Sequence, residues 1–213
     1  YSEKGQIKHM KFGTKAIHAG IEPDPSTGAI MTPIFQTSTY VQSEPGVHKG
    51  YAYARSQNPT RTVLEKNLAA LENGAMAICF GSGLAAMDAV LRLLNPGDEV
   101  ISTNDIYGGS YRIMNQVFAK YGIKFHFVGM DSIVKIDAVA NDNTKMIWVE
   151  TPTNPMLNII DIKMVSEYAQ TKGIQVCVDN TFASPYLQNP IDLGADIVIH
   201  SATKYLGGHS DVV

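Results

Sequence analysis

The spacing of apolar positions changes character near residue 58. Between residues 10 and 57, Ile30, Met31, Ile34, Phe35 and Tyr40 follow no period, and Pro23, Pro25, Gly28, Pro33, Pro45, Gly46 and Gly50 interrupt them. Structureless stretches beyond about 12–15 residues are uncommon inside a compact domain. This one is too apolar for disorder. It reads as an N-terminal arm over 1–60 that packs on another surface, most simply that of a partner subunit. A short helix is expected near 12–20.

Regular periodicity starts at Asn58-Pro59-Thr60, where Asn suits an N-cap and Pro the first helical position. Leu64, Leu68 and Leu71 then recur on one helical face, and Gly74 ends the pattern. An apolar run over 75–80 predicts a strand, followed by the turn Gly81-Ser82-Gly83 and a helix over 84–94. A short strand is expected at 100–102 and a helix over 107–121. Further strands are expected at 125–128, 145–150, 174–179 and 196–200, with a helix over 161–172. Strands alternating with helices predict an α/β fold with a mostly parallel sheet flanked by helices, formed by residues 61–213.

The chain has 213 residues, 45% of them hydrophobic, and a formal net charge of −3. That length supports a large core. The mild acidity gives no reason to expect a nucleic-acid partner. No apolar run reaches the roughly 20 residues that span a bilayer, so no membrane partner is expected. Cys79 and Cys177 sit in apolar runs and read as small buried hydrophobes rather than a disulfide or metal pair. A reducing, cytoplasmic setting and no metal are therefore expected. Residues 1–9, before Met10, are polar and consistent with a vector-derived leader.

Candidate chemistry gathers at the ends of the expected strands. The strand at 196–200 breaks into Ser201-Ala202-Thr203-Lys204 and then a Gly pair. Lys204 suits an amine nucleophile that forms a Schiff base with a carbonyl, and the hydroxyls of Ser201 and Thr203 suit an anion. Gly81-Ser82-Gly83-Leu84 opens a helix whose free N–H groups favour a phosphate, although a tight turn with an N-cap fits equally well. Asp179 ends an apolar strand, where a carboxylate is costly unless it meets a cation or several donors. A protonated pyridine nitrogen is such a cation. Tyr107, beside Gly108-Gly109, is placed to stack on a planar ring, or to serve as a core tyrosine. Asn154, between Pro152 and Pro155, is an amide with little freedom that can donate to a ring oxygen. Arg55, in Tyr51-Ala52-Tyr53-Ala54-Arg55, is suited to pair with a phosphate. Taken together these are the separate needs of pyridoxal 5'-phosphate.

At these residues the chain resembles the pyridoxal-phosphate enzymes of Cys/Met metabolism, the transsulfuration group of fold type I. The matching strings are Ser201-Ala202-Thr203-Lys204-Tyr205, Val178-Asp179-Asn180-Thr181-Phe182, Glu150-Thr151-Pro152-Thr153-Asn154-Pro155, Ser82-Gly83-Leu84-Ala85-Ala86 and Arg55-Ser56-Gln57-Asn58-Pro59-Thr60-Arg61. They run in family order from about residue 12 to 213.

The resemblance implies that Lys204 joins the cofactor and then shuttles protons. Asp179 would hold the pyridinium, and Tyr107 would stack on the ring. Gly83, Leu84, Ser201 and Thr203 would bind the phosphate. Tyr53 and Arg55 would reach the phosphate of a neighbouring subunit, making a dimer the minimum unit and a tetramer usual. Within the family, Tyr107-Gly108-Gly109-Ser110-Tyr111-Arg112 looks like cystathionine γ-lyase and cystathionine γ-synthase, with a lean toward the lyase. Family members also carry a smaller C-terminal domain after the lysine segment, which supplies the arginine for the substrate carboxylate. A longer polypeptide is expected on that ground.

Overall fold

A computed structural model of the chain describes residues 10–213; residues 1–9, read above as a vector-derived leader, lie outside the described residues. The chain divides into two compact units, one ending at Cys79 and the other starting at Phe80.

The first unit holds helix α1 (Phe12–His18), a small hairpin of β1 (Gln42–Glu44) and β2 (Val47–His48), and helix α2 (Pro59–Leu71). Asn58 caps α2 as its sequence suggests, accepting a hydrogen bond from the Thr60 N–H at 2.9 Å with Pro59 in the first turn. The irregular segment is fastened to this cap. Thr60 Oγ1 donates to the Pro33 carbonyl at 3.1 Å and accepts from the Phe35 N–H at 2.9 Å, while Asn58 Nδ2 donates to the Phe35 carbonyl at 3.0 Å. Asn67 Nδ2 reaches the Ala19 carbonyl just past α1 at 2.9 Å. The chain then turns through Gly20 at φ +76°, where an added Cβ would lie 2.6 Å from Lys66 Cβ. Ile34 and Val41 remain 79% and 90% exposed.

Two expectations fail in this region. Leu64 is exposed although it shares the leucine spacing of α2; of the three leucines only Leu71 is buried. Residues 75–80 are extended but belong to no strand. Met76, Ile78 and Phe80 keep the alternation of a strand, yet all three side chains are exposed. A strand is defined by ladder partners, and among the described residues none pairs with this segment. Its Cys79 N–H is taken instead by the Glu65 carboxylate at 3.0 Å.

The second unit is built on five parallel strands in the order β4-β3-β5-β6-β7. They are β3 (Glu99–Thr103), β4 (Lys124–Val128), β5 (Thr144–Glu150), β6 (Gln175–Asp179) and β7 (Ile197–Ile199). Between them come α3 (Gly83–Leu91, before β3), α4 (Gly108–Arg112), α5 (Ile133–Asp137), α6 (Ile162–Lys172) and α7 (Ser184–Leu187). The helix expected over 107–121 is broken into α4, a π-helical turn at Ile113–Val117 and a 3₁₀ turn at Phe118–Tyr121.

Both faces of the sheet are covered, as the near-continuous apolar strands require. Ile101, Ile147, Val149, Val176 and Val178 pack toward Ile162, Val165 and Ala169 of α6. Val100, Met146, Trp148 and Cys177 pack on the other side with Met87 and Leu91 of α3 and with Met114 and Phe118. Consecutive residues therefore go to opposite faces, and the register pairs Glu150 with Asp179 at the strand ends.

The chain leaves β3 for β4 on one side and afterwards returns to place β5 on the other. The loops after β3 and β5 thus flank a reversal of strand order, where open α/β sheets bind ligands beyond their carboxyl ends. The opposite, amino-terminal rim carries a polar cluster. Glu99 meets His126 Nε2 at 2.5 Å, Asn141 Nδ2 at 2.8 Å and Lys124 Nζ at 3.4 Å. The Asn141 and His126 hydrogen bonds, with help from Lys124, hold the Glu99 carboxyl down to about 2.

A carboxyl lowered in this way stabilises the fold above its ordinary pKa and loses that contribution as pH falls toward about 2. Glu99→Gln is expected to cost about 1–2 kcal/mol near neutral pH through loss of charge-assisted hydrogen bonds. Thermal unfolding of both proteins from pH 7 downward checks this: the gap between them should narrow as pH falls below about 4.5.

Candidate active site

Helix α3 starts where its sequence calls for it. Ser82 is the cap, its hydroxyl accepting from the Ala85 N–H at 3.1 Å. Gly83 and Leu84 form the first turn. Gly83 lies against the segment that follows β7, and a Cβ built on it would sit 3.0 Å from Ser201 Cβ and 3.1 Å from Ser201 Cα. The missing side chain lets the two backbones approach. It brings the helix N-terminus and the Ser201 hydroxyl into one cradle.

From Ser201 a hydrogen-bonded chain runs to the end of β6. The Ser201 N–H donates to Thr181 Oγ1 at 2.9 Å, and that hydroxyl donates to Asp179 Oδ1 at 2.5 Å. The Thr181 N–H donates to the same oxygen at 3.0 Å. Burial pushes the Asp179 carboxyl up, against the pull of Thr181 and of His200 nearby. A cation placed against it would restore the ionised form. Past Ser201 the chain winds through turns: the Lys204 N–H donates to the Ser201 carbonyl at 3.2 Å and the Gly208 N–H to the Lys204 carbonyl at 2.8 Å. Thr203 is half-buried and Lys204 is exposed.

Tyr107 stands at the head of α4 after β3, with its ring partly exposed. The ring lies over Gly109, where an added Cβ would come within 2.3 Å of Tyr107 Cε1. Asn154 is half-buried in the loop after β5. The Thr151–Pro152 and Asn154–Pro155 peptide bonds on either side of it are cis. Asp105, after β3, ties the two loops together: its Oδ2 accepts from the Thr153 hydroxyl, the Met156 N–H at 3.1 Å and Asn158 Nδ2 at 3.3 Å. Gln188 Nε2 similarly links the Thr151 carbonyl at 3.1 Å to Asn180 Oδ1 at 2.9 Å.

The second unit therefore carries Gly83, Leu84, Tyr107, Asn154, Asp179, Ser201, Thr203 and Lys204 at α3's first turn or past the carboxyl ends of its strands. Tyr53 and Arg55 belong to the first unit. Both are exposed, with the Arg55 guanidinium 4.8 Å from the Tyr53 ring centroid.

Residues 13–213 match the family described as Cys/Met metabolism PLP-dependent enzyme. The chain belongs to that family. Among curated relatives it is 51% identical over 202 residues to a probable cystathionine gamma-synthase of Herpetosiphon aurantiacus, covering 95% of this chain and 63% of the relative. It is 51% identical to a cystathionine gamma-lyase of Bacillus subtilis and 50% identical to a cystathionine beta-lyase of Coxiella burnetii. Those matches cover 96% and 97% of this chain and 54% of each relative. Among solved structures, metB from Corynebacterium glutamicum superposes with a TM-score of 0.95 at 48% identity, covering 97% of this chain and 54% of that one. Cystathionine gamma-lyase from Lactobacillus plantarum, complexed with L-serine, gives 0.93 at 46% identity, covering 96% and 53%. The chain spans little more than half the length of most of these relatives.

Pyridoxal phosphate is the cofactor expected of a Cys/Met metabolism PLP-dependent enzyme. The residues fit it: the cradle at Gly83 and Ser201 suits a phosphate, and the burial-raised Asp179 suits a protonated ring nitrogen.

The sequence reading passed over three residues. Thr181 bridges Asp179 and Ser201, and Asp105 laces the two loops. Glu150 ends β5 with its carboxyl buried; burial first, and then the nearby Asp179, pushes it up to about 8. A signal for Glu150 was available, since it closes a wholly apolar strand core, as Asp179 does.

On helix propensity alone, Gly83→Ala would favour α3 by roughly 1 kcal/mol. The added methyl would press on Ser201. The variant is expected to keep its thermal midpoint yet bind pyridoxal phosphate about tenfold more weakly, as read by titrating the apoprotein with cofactor.

Proposed function

We propose that this chain carries the cofactor site of a carbon–sulfur lyase acting on L-cystathionine. With one water, the reaction yields cysteine, 2-oxobutanoate and ammonia. The observation that supports it most is the hydrogen-bonded path from Asp179 through Thr181 to Ser201, three residues before Lys204. That path links the carboxylate proposed for the ring nitrogen to the proposed phosphate cradle, in the segment that leads on to Lys204.

Pyridoxal phosphate, when bound, supplies an electron sink for the pair left by a broken Cα–H bond. Asp179 would keep a proton on the ring nitrogen. Lys204 Nζ would be the base that removes the α-proton. As a proton shuttle, Lys204 would also accept the proton lost from the β-carbon, and the γ-carbon–sulfur bond would break with its electron pair on sulfur. Tyr107 would stack on the ring, and either Tyr107 or Tyr53 from a neighbouring subunit's arm would protonate the departing thiolate. Arg55 of that arm reaches the phosphate. The shared site makes a dimer the smallest active assembly, with a tetramer as the fuller form. The Tyr107–Arg112 string and Ser82-Gly83-Leu84-Ala85-Ala86 favour the lyase.

A γ-replacement, in which cysteine sulfur adds to an O-acylhomoserine, is the second reading. It is supported by a relative named probable cystathionine gamma-synthase at the same 51% identity as the gamma-lyase.

Assays of the full-length, cofactor-loaded enzyme separate these. Cystathionine alone is expected to give 2-oxobutanoate and cysteine, and Lys204→Ala to lower that rate about a thousandfold or more. Pyruvate in place of 2-oxobutanoate would overturn γ-cleavage. Turnover only with O-succinylhomoserine plus cysteine would establish the replacement reaction instead.

A further inference from the structure

We infer that Glu150 is a positioning residue whose carboxyl group clamps the backbone of Tyr107, fixing the ring-stacking contact relative to Asp179. The inference rests on the cofactor pose proposed above, and it concerns a side chain that takes no part in the chemistry as described.

The geometry is specific. Glu150 Oε2 accepts the Tyr107 N–H at 2.9 Å, across 43 residues of sequence. The Asn154 backbone lies close enough to favour the charged form of the carboxyl. Tyr107 follows β3 and Glu150 ends β5, so one side chain links the two strand ends that flank the reversal of strand order. The group is 6% exposed, and a buried acceptor with committed partners has little freedom to leave them.

Tyr107 has need of such a clamp. Its backbone precedes a helix of only five residues, and its own side chain makes no cap bond to that helix. Gly108 and Gly109 follow it, so the local chain does little to fix the ring. Glu150 is also locked in place itself: its strand partner in the register is Asp179, and β5 is buried on both faces. Carboxylates face it from two other elements, Asp179 on β6 and Asp105 in the loop after β3, and both act to raise its pKa. A group held largely neutral in this way serves as an acceptor without adding a second full charge beside the ring nitrogen's partner. Reach, rather than charge, is then what the position requires.

Two conservative variants divide these properties. Glu150→Gln keeps the reach and removes the ionisable group; Glu150→Asp keeps the ionisable group and shortens the reach by one methylene. Each is prepared as the full-length apoprotein and titrated with pyridoxal phosphate, and the visible circular dichroism of the bound cofactor is recorded. Glu150→Asp is expected to bind about tenfold more weakly, with an altered dichroic band as the stacking ring moves. Glu150→Gln is expected to retain most of the wild-type affinity and the wild-type band. The reverse order, or two variants both equal to wild type, overturns the clamp. Failure of the wild-type protein itself to take up the cofactor would overturn the proposed function instead.

Discussion

An acid that closes a buried strand must be met by donors or by a cation, and here two such acids stand side by side. Removing an unpaired carboxylate from water costs several kcal/mol, and Glu150 and Asp179 are register partners. They cannot both ionise cheaply. Glu150 is met by the Tyr107 N–H and driven toward its neutral form by burial. Asp179 is met on one oxygen by Thr181 and left short of full compensation. The residual demand at Asp179 is one that a protonated heterocycle would fill. The demand at Glu150 is met by drawing two strand ends together. Much of the site's order follows from this unequal treatment of two similar groups.

The parallel sheet makes that arrangement possible. Strands apolar on both faces carry few polar side chains until they end, so polar function collects at their rims. At the carboxyl rim, Asp105, Gln188 and Thr181 join loops to one another. At the amino rim, Glu99 gathers His126, Asn141 and Lys124 into a cluster with no part in the proposed chemistry. The two rims are separated by the length of the strands, so stability and reactivity draw on different sets of charges.

Much of this was legible from residue order. Continuous apolar runs located β3 through β7 to within a residue or two, and Asn58-Pro59 marked the start of α2 because cap chemistry is local. Lys204, Asp179 and Gly83 were singled out because small or charged residues at the end of an apolar run are conspicuous. What escaped was non-local. Residues 75–80 carry a strand's alternation, but pairing depends on a neighbour that local sequence does not specify. Leu64 shares its spacing with Leu71, yet burial depends on what packs against the helix. The clamp at Glu150 joins positions 43 residues apart, and only the crossover between β3 and β5 brings them together. The π-helical break after Arg112 has no marker that we can identify in the chain.

The pairing of β5 with β6 has a meaning beyond cohesion. Trp148 and Cys177 turn toward α3, and Glu150 and Asp179, two residues further along each strand, share their side of the pleat. Sliding either strand by a single position would exchange its acid with an adjacent valine and aim the charge at the hydrocarbon under α6. Misalignment would thus be punished twice, by a stranded carboxylate within and by a ring left without its counterion. Selection for catalysis would at the same time select for correct assembly, and the chemistry would act as a proofreader of the fold.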